Sequence, residues 1–306
     1  MCIRDRTNTL KIADNGIGMN RDDLINHLGT IAKSGTADFV NNAKDNGSCV
    51  DLIGQFGVGF YSAFMVADKV EILTKKAGED KAWFWTSNGI GGFEIREAEK
   101  KTNGTEIKLF LKEDDKNFTD TIYLRHIIRT YSDHIDYPIV LCLGEAGEET
   151  VNTGSALWSR HKSEITEEQY KEFYHHISKN FDDPWMTLHF KAEGSIEYTG
   201  LLYIPKQAPY DLFQPDRKNG LKLYVNKVFI SDKVEELLPS YLRFVKGVID
   251  SSDLQLNISR EMLQHNLLIE KIRHGTVARL LKELKKRSEN YDDYMIFWKD
   301  FGIAFK

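Results

Sequence analysis

Two glycine-rich segments near the start of the chain constrain its fold more than any other feature. Asp14–Gly18 (DNGIG) places a carboxylate beside two residues without a Cβ atom, and Gly54–Gly59 (GQFGVG) leads into the apolar run Phe60–Val66. Glycines let a ligand approach the backbone, and a glycine loop that opens a helix presents free N–H groups to an anion. The order and spacing of the segments predict a divided nucleotide site, in which Asp14 reads the base and the second segment binds phosphates.

The common nucleotide-binding motifs do not occur in this sequence. There is no G-x-x-x-x-G-K-[S/T] string, and neither glycine segment has the G-x-G-x-x-G order of the dinucleotide fold. A standard P-loop or Rossmann site is therefore not indicated. Each glycine segment taken alone is also compatible with an ordinary turn.

Composition indicates a globular chain. Its 306 residues suffice for two domains, and 41% hydrophobic with 28% charged residues is typical of globular proteins. No apolar run approaches the roughly 20 residues of a membrane span, and no signal peptide is visible. A net charge of −5 disfavours a broad nucleic-acid-binding face. We expect a cytoplasmic protein with neither nucleic-acid nor membrane partners.

The cysteines and histidines do not suggest a metal site. Cys2, Cys49 and Cys142 are odd in number and widely spaced, which favours unpaired thiols over disulfides or zinc ligands. The adjacent His175 and His176 have no helical partner with the spacing of a zinc hydrolase, and we interpret them as solvated surface residues. No metal ligand is predicted.

The first half of the chain reads as a nucleotide-binding domain. Thr7–Ala13 alternates like a strand that delivers Asp14 to a loop, whereas residues 1–6 continue no pattern and are interpreted as foreign sequence. The stretch that begins at Gly29–Thr36 and is punctuated by Gly47 and Gly54 is typical of a lid that closes on phosphate, although a surface helix with loose ends is the alternative.

Further elements follow in both halves. Strands are expected at Lys69–Thr74, Ala82–Thr86, Thr105–Leu111, Ser195–Ile204 and Leu221–Ile230, and helices at Asp22–Leu28, Leu124–Ile135, Thr166–Ile177, after Pro239 and at Asn266–Arg287. The aperiodic segment Leu143–Ser155 marks the boundary between domains 7–150 and 151–306. Phe213, Tyr241 and Phe244 are either core residues or an exposed polypeptide-binding surface.

Four strings in order closely resemble the ninety-kilodalton heat-shock chaperones. They are DNGIGM at 14–19, LGTIAKSGT at 28–36, IGQFGVGFYS at 53–62 and LNISREMLQ at 256–264, with further matches at LYIP (202–205), KLYV (222–225) and FVKGVID (244–250). The resemblance extends from about Thr7 to the last residue. Because no long acidic, lysine-rich linker separates the domains, the bacterial branch of the family fits best.

The resemblance implies an ATP-driven, dimeric chaperone for unfolded or partly folded client proteins. Its fold would be a Bergerat-type α/β sandwich, shared with gyrase, sensor histidine kinases and MutL, followed by an α/β middle domain. Carried over residue by residue, Asp14 with Thr105 would recognise adenine, Gly18 and Met19 would line the base pocket, and His27 would contact the nucleotide. The phosphates would be bound by Gly57, Val58, Gly59, Phe60 and Lys33. Arg260 would contact the γ-phosphate.

The sequence also departs from the family pattern. In the family, a helix upstream of Asp14 carries the Glu that activates water and the Asn that holds Mg²⁺, and the residues before Asp14 contain no counterpart. The remainder of the middle domain and the dimerisation domain are also expected to lie outside these 306 residues. We therefore expect weak nucleotide binding without hydrolysis. Two alternatives stay open: another ATPase of the same superfamily, acting on DNA or phosphorylating histidine, and a non-enzymatic polypeptide-binding module.

Overall fold

The computed structural model describes residues 2–4, 8–29, 59–144, 147–214, 220–254 and 267–306. The chain divides into two compact units, Met1–Gly154 and Ser155–Lys306. This division falls slightly beyond residue 150, where the sequence suggested a boundary. No helix in the described ranges is both long and apolar enough to cross a membrane.

The first unit is built on a sheet that has eight strands among the described residues. These are β1 (Cys2–Arg4), β2 (Thr9–Ala13), β3 (Ala67–Lys75), β4 (Ala82–Ser87), β5 (Glu94–Ala98), β6 (Gly104–Leu111), β7 (Val140–Cys142) and β8 (Glu148–Thr150). Their spatial order is β5-β4-β3-β6-β2-β1-β7-β8. Among the strands of the described residues, β1 and β7 pair in parallel and the other neighbours are antiparallel.

Short helices pack on one face of this sheet. They are α1 (Arg21–Asp23), which continues as the π-helical turn Leu24–Leu28, α2 (Ala63–Val66) and α3 (Thr121–Tyr131), with 3₁₀ segments at Gly59–Ser62 and Glu113–Thr119. Leu24 and Leu124 are buried against Val70, Ile72 and Leu109 of the sheet. Alternate residues of a strand share a face, so one side of β3 and β6 supplies this core.

The structure corrects four sequence predictions in the first unit. Cys2–Arg4 and Glu94–Ala98 form strands where none was expected. The helix expected to reach Ile135 ends at Tyr131. Glu148–Thr150, inside the expected interdomain linker, pairs with β7. These strands are short, and backbone pairing with a neighbour stabilises them without requiring a side-chain pattern.

The second unit contains a five-stranded sheet with helices on both faces. Its strands are β9 (Pro184–Ala192), β10 (Tyr198–Pro205), β11 (Gly220–Val225), β12 (Val228–Ser231) and β13 (Lys246–Asp250), in the order β12-β11-β13-β10-β9. Its helices are α4 (Glu167–Ser178), α5 (Leu267–Arg287) and α6 (Tyr291–Phe301), with 3₁₀ segments at Leu157–Ser159, Lys162–Glu164, Glu235–Leu237, Ser240–Leu242 and Gly302–Phe305. β11 and β13 pair in parallel and the other neighbours are antiparallel.

Two apolar clusters hold the helices of the second unit against its sheet. On one face, α5 and α6 pack on β9, β10, β11 and β13 through residues such as Ile272 and Phe297. On the other face, Tyr174 of α4 packs against Tyr203 of β10. A capping box begins α4: Thr166 Oγ1 accepts from the Gln169 N–H at 3.3 Å, and Gln169 Oε1 accepts from the Thr166 N–H at 3.1 Å.

The second unit also differs from the sequence predictions. The single strand expected at 221–230 is a hairpin, because Asn226 and Lys227 adopt positive φ angles of 49° and 63° and form its turn. Pro239 precedes only a 3₁₀ segment. Phe244 is fully buried in the core, whereas Phe213 is 61% exposed.

The close approach of β2 and β6 fixes the end of the first unit's sheet. The Asp14 N–H donates to the Thr105 carbonyl at 2.9 Å, and the Thr105 N–H donates to the Asp14 carbonyl at 3.3 Å. Gly104 has a φ of +109°, and a Cβ atom there would lie 2.3 Å from the Asp14 carbonyl oxygen. Only glycine fits this position without displacing the strand that carries Asp14.

We predict that Gly104→Ala destabilises the first unit by about 2–3 kcal/mol, since both the positive φ and the contact with Asp14 become unfavourable. Gly78→Ala is the matched control, because Gly78 has a φ of +82° and open space around its Cβ position. It should cost about 1 kcal/mol. Urea unfolding measures the loss of stability, and hydrogen exchange of the β6 amides, measured separately, shows whether the loss is located at this strand. Equal losses in the two variants would contradict the steric argument.

Candidate functional site

Asp14 stands at the point where β2 ends and the first glycine segment begins. Its Oδ1 atom accepts hydrogen bonds from the N–H groups of Gly16, at 2.9 Å, and Thr105, at 3.3 Å. The side chain bonding to the backbone two residues ahead is an Asx turn. Asp14 is solvent-exposed, and its Oδ2 atom accepts no hydrogen bond from the described residues. One carboxylate oxygen is thus held by the fold while the other is available to a ligand.

Two buried threonines lie on the strands next to Asp14. Thr105 is 7% exposed and Thr74 is fully buried, and their hydroxyl oxygens lie 3.1 Å apart. Thr74 Oγ1 also accepts from the Met19 N–H at 2.9 Å. Because Thr74, Thr105 and Asp14 lie on adjacent strands, their hydroxyls and the carboxylate form a polar row across β3, β6 and β2.

The glycine segment after Asp14 is held closely against the sheet. Gly18 has a φ of +68°, and a Cβ atom there would lie 1.9 Å from the Lys75 carbonyl oxygen. Asn103 Nδ2 donates to the Gly16 carbonyl at 2.7 Å, and the Ala77 N–H donates to the Ile17 carbonyl at 2.7 Å. The segment therefore has a fixed backbone that places Met19 beside Thr74.

His27 lies on the π-helical turn that follows α1. Its Nε2 atom is 3.9 Å from Asp23 Oδ1, and its Nδ1 atom is buried without a hydrogen-bond partner in the described part of the chain. π-Helical turns within helices occur frequently at functional sites. Asp23 also accepts from Lys76 Nζ at 2.7 Å, which ties α1 to the segment after β3.

Gly59 and Phe60 begin the 3₁₀ segment that precedes α2. Space around Gly59 is open, since a Cβ atom there would meet no atom within 4 Å. The Phe60 ring packs edge-on against Trp85 with ring centres 5.6 Å apart, so its side chain serves the core. The Tyr61 hydroxyl donates to the Leu28 carbonyl at 2.8 Å, which joins this segment to the end of the π-helical turn.

The structure therefore brings together Asp14, Gly18, Met19 and Thr105 and describes His27, Gly59 and Phe60 in the same unit. Lys33, Gly57, Val58 and Arg260 lie outside the described residues, as does most of the expected lid. Sequence reasoning missed Thr74, Asn103 and Gly104 as supports of the site. The dipeptide Asn103-Gly104 is a common turn sequence, whereas a threonine near a strand end carries no signal of its own.

Metal ligands are not clustered in the described ranges. No group of three or more His, Cys, Asp or Glu side chains there could hold an ion. Of the two adjacent histidines, His175 Nε2 lies 3.4 Å from Asp183 Oδ1 on the surface.

The Asp23 carboxyl, on the helix next to His27, has a lowered pKa. Burial raises it, but hydrogen bonds from Lys76 and the Asn20 N–H outweigh burial, so the pKa lies below its usual value. The stability that this carboxylate contributes is present above its ordinary pKa and is lost as the pH falls through the lowered value.

We predict that Lys76→Met reduces the stability of the first unit at about pH 7 more than at about pH 3, because the ion pair exists only while Asp23 is charged. Lys81→Met is the control, since Lys81 pairs with Glu97 at 3.0 Å with both side chains more than half exposed. It should change little at either pH. Urea unfolding at the two pH values checks this, and an equal loss at both would refute the electrostatic explanation.

Comparison with known proteins gives matches to both units. A family model described as Histidine kinase-, DNA gyrase B-, and HSP90-like ATPase matches residues 2–113, and one described as Hsp90 protein matches residues 144–306. The first unit accordingly has the α/β sandwich of that ATPase superfamily, and an α/β middle domain follows it.

Curated relatives named Chaperone protein HtpG are similar over nearly the whole chain. That of Paramagnetospirillum magneticum is 57% identical over 300 residues, which are 97% of this chain and 48% of the relative. Those of Rhodospirillum rubrum and Roseobacter denitrificans are 54% identical over 303 residues and 50% identical over 308, covering 97% and 100% of this chain and 48% and 49% of each relative. The chain thus spans about half the length of these relatives. Because the Hsp90 model alone covers more than half of its residues, the chain belongs to the Hsp90 family.

Proposed function

We propose that this chain forms the nucleotide-binding and middle portion of an ATP-dependent molecular chaperone. The observation that carries the proposal is the Asp14 carboxylate, of which one oxygen is bound by two backbone N–H groups and the other is open to a ligand. A carboxylate held in this way accepts the exocyclic amino group of adenine at a fixed position. The family match over residues 2–113 supports the same assignment.

In this proposal, the residues around Asp14 divide the recognition of the nucleotide. Thr105 supports the amino-group contact, directly or through water, while Thr74 orients the Thr105 hydroxyl. Gly18 and Met19 line the base pocket, where the fixed backbone leaves no room for a ligand bulkier than the base. His27 contacts the nucleotide from the helical side.

Phosphate recognition is assigned to residues further along the chain. Backbone N–H groups of Gly57, Val58, Gly59 and Phe60 bind the phosphates, and Lys33 adds a mobile positive charge. Arg260 contacts the γ-phosphate, where a cation stabilises the charge that develops during transfer. Bound ATP would supply the transferable phosphate, and Mg²⁺ would accompany it.

The proposed cellular role follows from the family. Clients are unfolded or partly folded proteins, and hydrolysis of ATP is coupled to lid closure and to clamping of a homodimer. The protein acts in the cytoplasm. An ATPase that acts on DNA or phosphorylates histidine is less favoured, because residues 144–306 match an Hsp90 model. A non-enzymatic module is less favoured, because residues 2–113 match an ATPase model.

Asp14→Asn should weaken ATP binding about ten- to a hundredfold, since a charge-assisted acceptor is replaced by a neutral amide. Asp22→Asn is the matched control because Asp22 is exposed, lies eight positions away and makes the same chemical change. Its affinity should equal that of the wild type. Calorimetric titration with ATP measures both, and equal affinities of wild type and Asp14→Asn would defeat the assignment.

The 306-residue chain alone should bind nucleotide weakly and hydrolyse none, because the family's water-activating Glu and Mg²⁺-binding Asn belong to the segment upstream of Asp14. Phosphate release is compared between this chain and a fusion that carries the upstream segment of the Paramagnetospirillum magneticum relative. Turnover is expected only in the fusion. Equal rates in the two proteins would refute this expectation.

A further inference from the structure

A single hydrogen bond connects two parts of the candidate site that are far apart in sequence. Asp14 and the glycine segment precede α1, whereas the 3₁₀ segment Gly59–Ser62 comes much later in the chain. The Tyr61 hydroxyl donates to the Leu28 carbonyl at 2.8 Å, across 33 positions of sequence. Among the described residues, no other hydrogen bond joins the π-helical turn to this 3₁₀ segment.

The Leu28 carbonyl needs a partner because it lies at the end of the π-helical turn. The Gly29 N–H closes the turn by donating to the carbonyls of Leu24, at 3.1 Å, and Ile25, at 3.2 Å. Carbonyl groups in the last turn of a helix have no partner within the helix. The Tyr61 hydroxyl supplies that partner for Leu28. Burial raises the pKa of Tyr61, so its hydroxyl keeps its proton and acts as the donor.

Aromatic packing brings the same two elements together. Phe60 and Phe93 both pack against Trp85, with ring centres 5.6 and 6.1 Å from it. A Cβ atom on Gly29 would lie 2.7 Å from Phe93 Cε1, so the end of the π-helical turn is close to this ring. The three aromatic rings thus support the 3₁₀ segment through Phe60 and the end of the turn through Phe93.

The start of α1 is attached to the sheet by separate contacts. The Met19 N–H donates to Thr74 Oγ1 at 2.9 Å, Asn20 Oδ1 accepts from the Asp23 N–H at 2.9 Å, and Asp23 Oδ2 accepts from Lys76 Nζ at 2.7 Å. The helix is therefore attached at its start to β3 and to the segment after it, and at its end to the 3₁₀ segment. It forms a strut between the two parts of the site.

The length of this strut matters for a ligand that spans both parts. In the proposed nucleotide site, Asp14 accepts from the base while the N–H groups of Gly59 and Phe60 bind phosphate. Because base and phosphates are covalently linked, the second contact adds affinity only if the two subsites have the matching separation. Without the hydrogen bond to Leu28, the packing of Phe60 alone would hold the phosphate side at that separation.

We propose that Tyr61 is a positioning residue for nucleotide binding, whose hydroxyl fixes the N–H groups of Gly59 and Phe60 at a set distance from Asp14. The Tyr61 side chain itself touches no part of the nucleotide in this proposal. The proposal rests on the proposed function and adds to it the contact that keeps the base and phosphate sides in register. It predicts a loss of affinity for ligands that occupy both sides and none for a ligand that occupies only the base side.

Tyr61→Phe tests the proposal because it removes only the hydroxyl group. ATP and adenosine are titrated into the 306-residue chain and into the variant, with binding followed by NMR, which measures weak affinities. The affinity for ATP should fall about three- to tenfold, as expected for one lost hydrogen bond. The affinity for adenosine should stay within about twofold of the wild type. A general loosening of the fold would weaken both ligands, so the difference between them reports positioning.

Tyr137→Phe is the matched control, because Tyr137 belongs to the same unit, is 70% exposed and loses the same atom. Both ligands should bind this variant as they bind the wild type. Hydrogen exchange of the Gly29 amide should become faster in Tyr61→Phe and stay unchanged in Tyr137→Phe. Unchanged ATP affinity in Tyr61→Phe, or an equal loss for ATP and adenosine, would overturn the positioning role.

The same titrations separate this proposal from the proposed function. If ATP binds the wild type, Asp14→Asn weakens it and Tyr61→Phe does not, the nucleotide site stands and the role of Tyr61 is wrong. If ATP does not bind the wild type, or binds equally to Asp14→Asn, the nucleotide site itself is wrong and the role of Tyr61 fails with it.

Discussion

The pairing of β2 with β6 is the interaction on which the candidate site depends. It places the last residue before the glycine segment, Asp14, opposite Thr105, and the two exchange backbone hydrogen bonds. A register shift of one residue would turn every side chain of β2 to the other face and remove Asp14 from Thr105. Gly104 permits this pairing because it has no Cβ atom where the Asp14 carbonyl lies. The same contact therefore sets both the register of the sheet and the orientation of the carboxylate.

Buried polar groups also fix the position of the glycine segment after Asp14. Thr74 is fully buried, yet its oxygen contacts the Thr105 hydroxyl and accepts from the Met19 N–H, so that it is satisfied. A buried hydroxyl with a fixed partner restricts the backbone more than an apolar contact does, because leaving it unpaired would cost about 1–3 kcal/mol. The hydrogen bond to Thr74 of β3 thus helps to fix the backbone of the glycine segment.

The sequence predicted strands and helices that have regular side-chain periodicity, such as β6 and α4, and the family resemblance implied that Asp14 and Thr105 belong to one site. It missed β9 and β13, because strands covered on both faces lack a polar alternation. It read β11 and β12 as one strand, because Asn226 and Lys227 adopt positive φ angles without a glycine. The sequence did not indicate Thr74 as a site residue, because its contact with Thr105 depends on the pairing of β3 with β6. Lys33, Gly57, Val58 and Arg260 stay predictions, since they lie outside the described residues.

The edges of the second sheet raise a different question, namely how a nine-residue open strand avoids pairing with any other chain. A charged side chain near an edge, such as that of Lys162, is a known defence against pairing with another strand. Residues of α4 and α5 also line a cavity beside this edge and restrict access to it. Both features oppose pairing of β9 with a second copy of itself.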